Sequence, residues 1–383
     1  MPTPEIHGTC DPRFSRVKDA FAKNFDVENE AGASFCATVD GQTVVDLWGG
    51  TADRAGTRPW ERDTIINVWS TTKAMTVTCA HVLVDRGLLD VEAPVAKYWP
   101  EFAQAGKETM PVKYILSHTA GLAGISQPLP TEALYDWDRM ARALAAQAPL
   151  WEPGTRSGYH ALTIGYLVGE IVRRITGKSL GTFFREEIAE PLGADFWIGL
   201  PESEEGRVAE MIPPENPQPL AEAPDPSDTS DRAALQRAMA NPAAGQAAAN
   251  SRAWRAAEIP AGNGQGNARS CARVMTALAC GGELDGVRIM RPETIEAAIQ
   301  TQIENKDIVL GPMRWGLGYM LNSPSLPISP NPRTFGHGGW GGSFAMGDLD
   351  ARVGLAYVMN RMSNGTTGDK RLGRLIKAVY GAL

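Results

Sequence analysis

The chain has 383 residues, enough to bury a large core in one domain or two interleaved ones. Its net charge of −7, with no basic stripe, argues against nucleic acid or an anionic membrane as partner, and no apolar run approaches the ~18 residues of a membrane helix. Five cysteines (Cys10, Cys36, Cys79, Cys271 and Cys280), odd in number and widely spaced, fit reduced thiols in a cytoplasmic protein and have no zinc-site spacing, so no metal is expected.

The opening Met1-Pro-Thr-Pro-Glu-Ile-His7 lacks the charged and apolar regions of a secretion signal, and His7 reads as part of a loose terminus. Asp11-Pro12 reads as the start of a helix with Phe14, Val17, Phe21 and Phe25 on its apolar face. Residues 33–39 and 43–48 are strand-like runs around Asp40-Gly41, the signal of a type I′ hairpin. After Ile65-Ile66-Asn67-Val68-Trp69 comes Ser70-Thr71-Thr72-Lys73, and residues 74–84, apolar nearly all round, predict a buried helix that Asp85-Arg86-Gly87 ends.

Leu116-Ser-His-Thr-Ala-Gly-Leu122 and Trp151-Glu-Pro-Gly154 read as loops between helices. Ile164, Leu167, Val168, Ile171, Val172 and Ile175 recur at helical spacing closed by Thr176-Gly177, and a second helix is predicted from Leu180 to about residue 189. Residues 201–230 are rich in proline and acid and 232–262 in alanine, which predicts a surface excursion, with room for disorder, around an alanine-rich helix. Residues 268–280 are helical again. Residues 315–321, 343–349 and 353–359 read as strands, and Leu372, Leu375, Ile376 and Val379 mark a last amphipathic helix.

Helix plus strands at both ends, with a helical middle, predict one antiparallel sheet flanked by helices and a separate helical lobe. The corresponding division is 1–65 with 285–383 for the sheet domain, and 66–284 for the mostly helical one, which carries the Pro/Ala-rich excursion at about 201–262.

Ser70 and Lys73 lie three residues apart, so a helix starting at the serine puts hydroxyl and amine on one face. Serine is a poor nucleophile until a base takes its proton, and lysine does this only where its surroundings lower its pKa. Gly158-Tyr159-His160-Ala161 lies on a loop before the next helix. A tyrosine beside Ser70 and Lys73 would shuttle a proton to the leaving group, provided an ammonium lowers its pKa from ~10. Gly336-His337-Gly338-Gly339-Trp340-Gly341-Gly342-Ser343 reads as opening a strand, with glycines that let substrate lie on the strand edge and a backbone N–H for an oxyanion.

Gly177-Lys178-Ser179-Leu180-Gly181 matches a nucleophile elbow only formally. A helix rather than a strand precedes it, so Gly177 reads as a helix end and Ser179 as the next N-cap. Gly262-Asn-Gly-Gln-Gly266 has no strand leading into it and carries no phosphate-site signal. His118 reads as a loop holder and His81 as part of the buried helix. His160 adjoins Tyr159 and is a candidate to line the site.

Ser70-x-x-Lys73, Tyr159-x-x and His337-Gly-Gly, in this order, resemble the serine β-lactamase and penicillin-binding protein superfamily, closest to the class C β-lactamases and family VIII carboxylesterases. The resemblance spans about residues 30–360 and includes the 116–122 and 151–154 motifs. It implies a β-lactamase-like α/β fold of the α+β kind, with the active site between sheet and helical lobe and no cofactor. It further implies Ser70 as nucleophile, Lys73 and Tyr159 as proton-transfer partners, and the N–H groups of Ser70 and Trp340 as oxyanion hole. Trp69, His160, His337, Gly338 and Gly339 become the candidate substrate contacts.

Two departures stand out. Ala161 replaces the asparagine of Tyr-x-Asn, and His337 replaces the strand lysine. Both weaken recognition of an anionic amide and favour a short-chain or aryl ester as the small-molecule substrate. The alternatives are a β-lactamase or D-alanyl-D-alanine peptidase, or an acyltransferase or amide hydrolase.

Overall fold

The computed structural model describes residues 4–383 apart from 217–221, 223, 226, 366 and 367. Both chain ends enter one nine-stranded antiparallel sheet. Gly32–Val39 pairs with Val353–Met359 in the register Phe35↔Tyr357, and Gln42–Gly50 and Ile6–Cys10 extend the sheet on one side. Phe344–Asp348, Thr334–Gly338, Met320–Leu321, Gly311–Trp315 and Ile303–Asp307 follow on the other. Asp40 and Gly41 both have positive φ (48° and 82°), the geometry a type I′ turn requires and asparagine, aspartate and glycine tolerate best.

Helix Ser15–Val27 and the C-terminal helix Lys370–Tyr380 pack together against one face. Helix Ala268–Ala279 packs against the other, so we propose that the sheet unit resumes just before Ala268 rather than at 285. Its alternation of Ala, Val, Met and Leu makes a small-residue face that lies flush on the strands: a Cβ at Gly354 would sit 2.6 Å from the Thr276 nitrogen.

The helical lobe is built on Thr72–Asp85, whose residues from Thr72 to Leu83 are all buried, as the unbroken apolar run requires. Thr163–Thr176 packs against it and ends at Gly177, φ 73°. Ser179 caps the following helix, Leu180–Phe184, which passes through a π turn at Arg185–Ala189.

Several expectations change. His7 is not in a loose terminus: it lies in the edge strand Ile6–Cys10 and stacks on Trp48 across the ladder, 6.3 Å between rings. Residues 315–321 are two strands, because Gly316 and Gly318 (φ 94°) turn the chain and Gly318 has no room for a Cβ against Val77. The histidine–glycine motif closes the strand Thr334–Gly338 instead of opening one, and its glycines form the turn to Phe344–Asp348.

The 201–262 stretch is only partly a surface excursion. Residues 217–221, 223 and 226, where disorder was expected, lie outside the described residues. Val208, Ala209, Met211 and Ile212 are buried, and helix Asp231–Ala240 buries Ala233, Ala234 and Ala238, two of them against Trp151 and Ala123.

Candidate active site

Ser70 sits in the single 3-10 turn Trp69–Thr71 that leads into the buried helix. Trp69 has φ 48°, a left-handed conformation that a bulky residue adopts only when its neighbours impose it. Here the Trp69 ring meets Trp254 (5.6 Å) and Trp340 (5.1 Å), while Thr72 Oγ1 donates to the Trp69 carbonyl and accepts from the Gly264 N–H at 2.9 Å.

Lys73 is fully buried. Its Nζ lies 2.9 Å from Ser70 Oγ, 2.7 Å from the Ala161 carbonyl and 2.8 Å from the Ala261 carbonyl. Burial pushes its pKa well down. A neutral amine has two N–H donors and one lone pair. The two carbonyls can only accept, so the lone pair falls to the serine hydroxyl.

Tyr159 reaches the same point from the loop before Thr163–Thr176. Its hydroxyl hydrogen-bonds Ser70, and Lys73 Nζ stands 4.7 Å from its ring centroid. Trp315 stacks flat on its ring (5.9 Å, 4°), and the Tyr159 backbone N–H donates to the buried Asp307 carboxylate at 3.0 Å. The ammonium-lowered tyrosine expected from sequence is absent: burial raises the phenol's pKa, the Ser70 hydrogen bond opposes this, and Asp307 reinforces it. The reason is that the neighbouring amine is itself desolvated toward its neutral form.

His337 is buried, its Nδ1–H donates to the Gly338 carbonyl at 2.7 Å, and burial, then Lys73, lowers its pKa to about 3, so it is neutral. The cavity over Ser70 is walled by Trp69, Tyr159, Leu162, His337, Gly338 and Trp340, and closed by Ala238, Met239 and Ala244 from the alanine-rich stretch. No charged side chain is among its described lining residues.

Residues 19–379 match the protein family described as Beta-lactamase. The chain belongs to that family. It is a serine hydrolase of the β-lactamase fold. It is 40% identical over 366 residues to "Esterase/beta-lactamase LipL" of Mycobacterium tuberculosis, covering 93% of this chain and 83% of that protein. It is 29% identical to "Esterase EstB" of Burkholderia gladioli, over 86% of each. Among solved structures, a family VIII carboxylesterase superposes with TM-score 0.93 at 49% identity, covering 99% of this chain and 100% of that one. A penicillin-binding protein homolog from Caulobacter crescentus superposes with TM-score 0.92 at 43% identity, with the same coverage.

Within this β-lactamase-family site, the residues singled out from sequence separate into two groups. Ser70, Lys73, Tyr159, Trp69, His337, Gly338 and Trp340 converge on the cavity or its floor. The Trp340 N–H donates to no backbone carbonyl among the described residues. Two others do not face the cavity. His160 is fully buried, with Nδ1–H donating to Gly158 O (2.7 Å), Nε2 accepting from Leu122 N–H (3.2 Å) and its own N–H donating to His118 Nδ1 (3.1 Å), so it ties two loops together. Gly339 instead lies against the turn that carries Ser70, where a Cβ would fall 2.3 Å from the Val68 carbonyl.

Three supporting residues carried no local signal. Ser343 Oγ donates to Val68 O (2.7 Å) and meets Thr71 Oγ1 (3.0 Å), clamping the glycine turn to the turn that carries Ser70. Arg371, on the C-terminal helix, donates to the Gly341 carbonyl at 2.8 Å while paired with the buried carboxylates of Glu30 and Asp369. Asp307 holds Tyr159 and, through a second oxygen, the Trp315 N–H at 3.3 Å. No helix among the described residues is long and apolar enough to cross a membrane.

Proposed function

We propose that this protein is a carboxylesterase that hydrolyses short-chain or aryl esters of small molecules through an acyl-enzyme on Ser70. The observation that carries this reading is the uncharged wall of the catalytic cavity: an anionic β-lactam or peptide carboxylate would be desolvated there with no cation to meet it, whereas an ester loses nothing. The names of the relatives agree with it, and five free cysteines fit the cytoplasm as its location.

In this mechanism Lys73, held neutral, takes the Ser70 proton as Oγ attacks the ester carbonyl. The oxyanion is received by the N–H groups of Ser70 and Trp340. Tyr159, a phenol at neutral pH, gives its proton to the departing alkoxide and is reprotonated from the Lys73 ammonium. Water then enters in the alcohol's place. It loses a proton through the same pair, attacks the acyl carbonyl, and Ser70 recovers its hydrogen.

Ser70→Ala is expected to abolish hydrolysis of p-nitrophenyl acetate and butyrate, and a fluorophosphonate probe should add to Ser70 alone, read by peptide mass spectrometry. Retained turnover in the variant would sink the reading. Nitrocefin turnover faster than ester turnover would favour the β-lactamase alternative that one relative's double name raises.

A further inference from the structure

Behind the glycine turn, on the side of the sheet that carries the C-terminal helix, lies a second and larger cavity of about 510 Å³, a volume typical of small-molecule sites. Leu326 and Ile328 form its roof, Phe344 its floor, and Leu372 and Ile376 of the C-terminal helix its side. Asn322 braces this roof: its carboxamide accepts from the Ile328 N–H (2.7 Å) and donates to the carbonyls of Ser329 (3.0 Å) and Asn331 (2.8 Å).

The polar groups on the wall are already engaged. Among the described lining side chains, Asp369 is bound by Arg371, Ser343 by Val68 O, Ser329 Oγ by Thr334 and the Tyr380 hydroxyl by Asp348, while Lys377 is exposed at the rim. A polar ligand therefore finds little to bind here and a hydrocarbon finds much.

Two residues, Met320 and Gly338, line both this cavity and the catalytic one. The partition between them thus includes one flexible thioether and one residue without a side chain.

We propose that this cavity receives the hydrocarbon chain of the substrate, running from Ser70 past Met320 and Gly338 toward the C-terminal helix. The inference rests on the ester-hydrolase reading above and extends it from short esters to those with a longer apolar tail. The tail belongs to either the acyl or the alcohol half, and the test has an arm for each.

Gly373 offers the means. It lines the cavity, and a Cβ there would meet no atom within 4 Å, so Gly373→Leu fills the cavity from a helix position where leucine is better tolerated than glycine. Two series are compared: p-nitrophenyl acyl esters from two to twelve carbons, and acetates of alcohols over the same lengths.

In one series kcat/KM of the native enzyme should rise by about threefold per methylene once the chain enters the cavity. Gly373→Leu should cut that gain at least tenfold for the longest members while p-nitrophenyl acetate is unchanged. Chain-length profiles identical in both proteins, or an equal loss on acetate, overturn the proposal. Dodecanol binding to Ser70→Ala by calorimetry reads the cavity without turnover: it should weaken tenfold when Gly373→Leu is added. Unchanged affinity overturns the cavity assignment whatever the fate of the esterase reading, and loss of native acetate turnover strikes that reading alone.

Discussion

At the scale of single residues, the proposed chemistry turns on which form of Lys73 the fold stabilises. Burial depresses its pKa, so the neutral base is present above the depressed value and is lost as acidification protonates it. The acid limb of kcat/KM should therefore report Lys73. Burial lowers the pKa of the histidines near the site, His160 and His337 to about 3, and His337→Gln should leave the limb where it is. A limb that moves with His337 would refute the assignment. Lys73→Arg puts a permanent cation in place of the neutral amine and has no lone pair to offer, and a loss of at least ~1,000-fold in kcat is expected. Tyr159→Phe should cost about 100- to 10,000-fold, the range for a removed proton-transfer group, with the larger effect on esters of poor leaving groups. Stopped-flow measurement of acylation separates these from effects on binding.

At the scale of elements, the proposed oxyanion donor depends on two turns locked to each other and to the C-terminal helix. Arg371 reaches from that helix to Gly341, beside Trp340, and is itself fixed by Glu30 and Asp369. Removing one partner of such a buried group leaves uncompensated charge, so Arg371→Met should destabilise the fold by about 3–5 kcal/mol in denaturant titration. If the neighbouring Trp340 N–H serves the transition state as proposed, the variant should also lower kcat with little change in KM. Equal loss in kcat and KM on a fully folded variant would count against the positioning role. The turn itself is legible in Gly338-Gly339, but the clamp is not: Ser343 and Arg371 are ordinary residues until a strand 275 positions from Val68 and a helix 30 from Gly341 are brought against them.

At the scale of the whole molecule, four histidines stand buried and neutral: His81, His118, His160 and His337. All are lowered by burial, His81 to about 4, His160 and His337 to about 3, and His118 well below its ordinary value. The unfolded chain takes up protons near pH 6.5 that the folded chain refuses, so their contribution is present above that pH and is lost as pH falls toward 3. Each should cost about 1 kcal/mol per pH unit in this window. Glu30 and Glu258, raised by burial, act in the opposite sense. The melting temperature should fall steeply between pH 6.5 and about 4.5, and a flat profile there would contradict the burial of these rings.

The sequence by itself determined much of this protein because the key signals are local. Ser70 and Lys73 share one helical turn, Asp40-Gly41 specifies its hairpin, and unbroken apolar runs declare which helix is buried. Strand content at both ends implied a single antiparallel sheet. Only the tertiary structure decided that His160 braces loops instead of facing the cavity, that the alanine-rich stretch roofs the cavity, and that burial raises the pKa of the Tyr159 phenol. Those outcomes depend on desolvation and on contacts between residues far apart in the chain, and burial is a property of the packed whole that no window of residues contains.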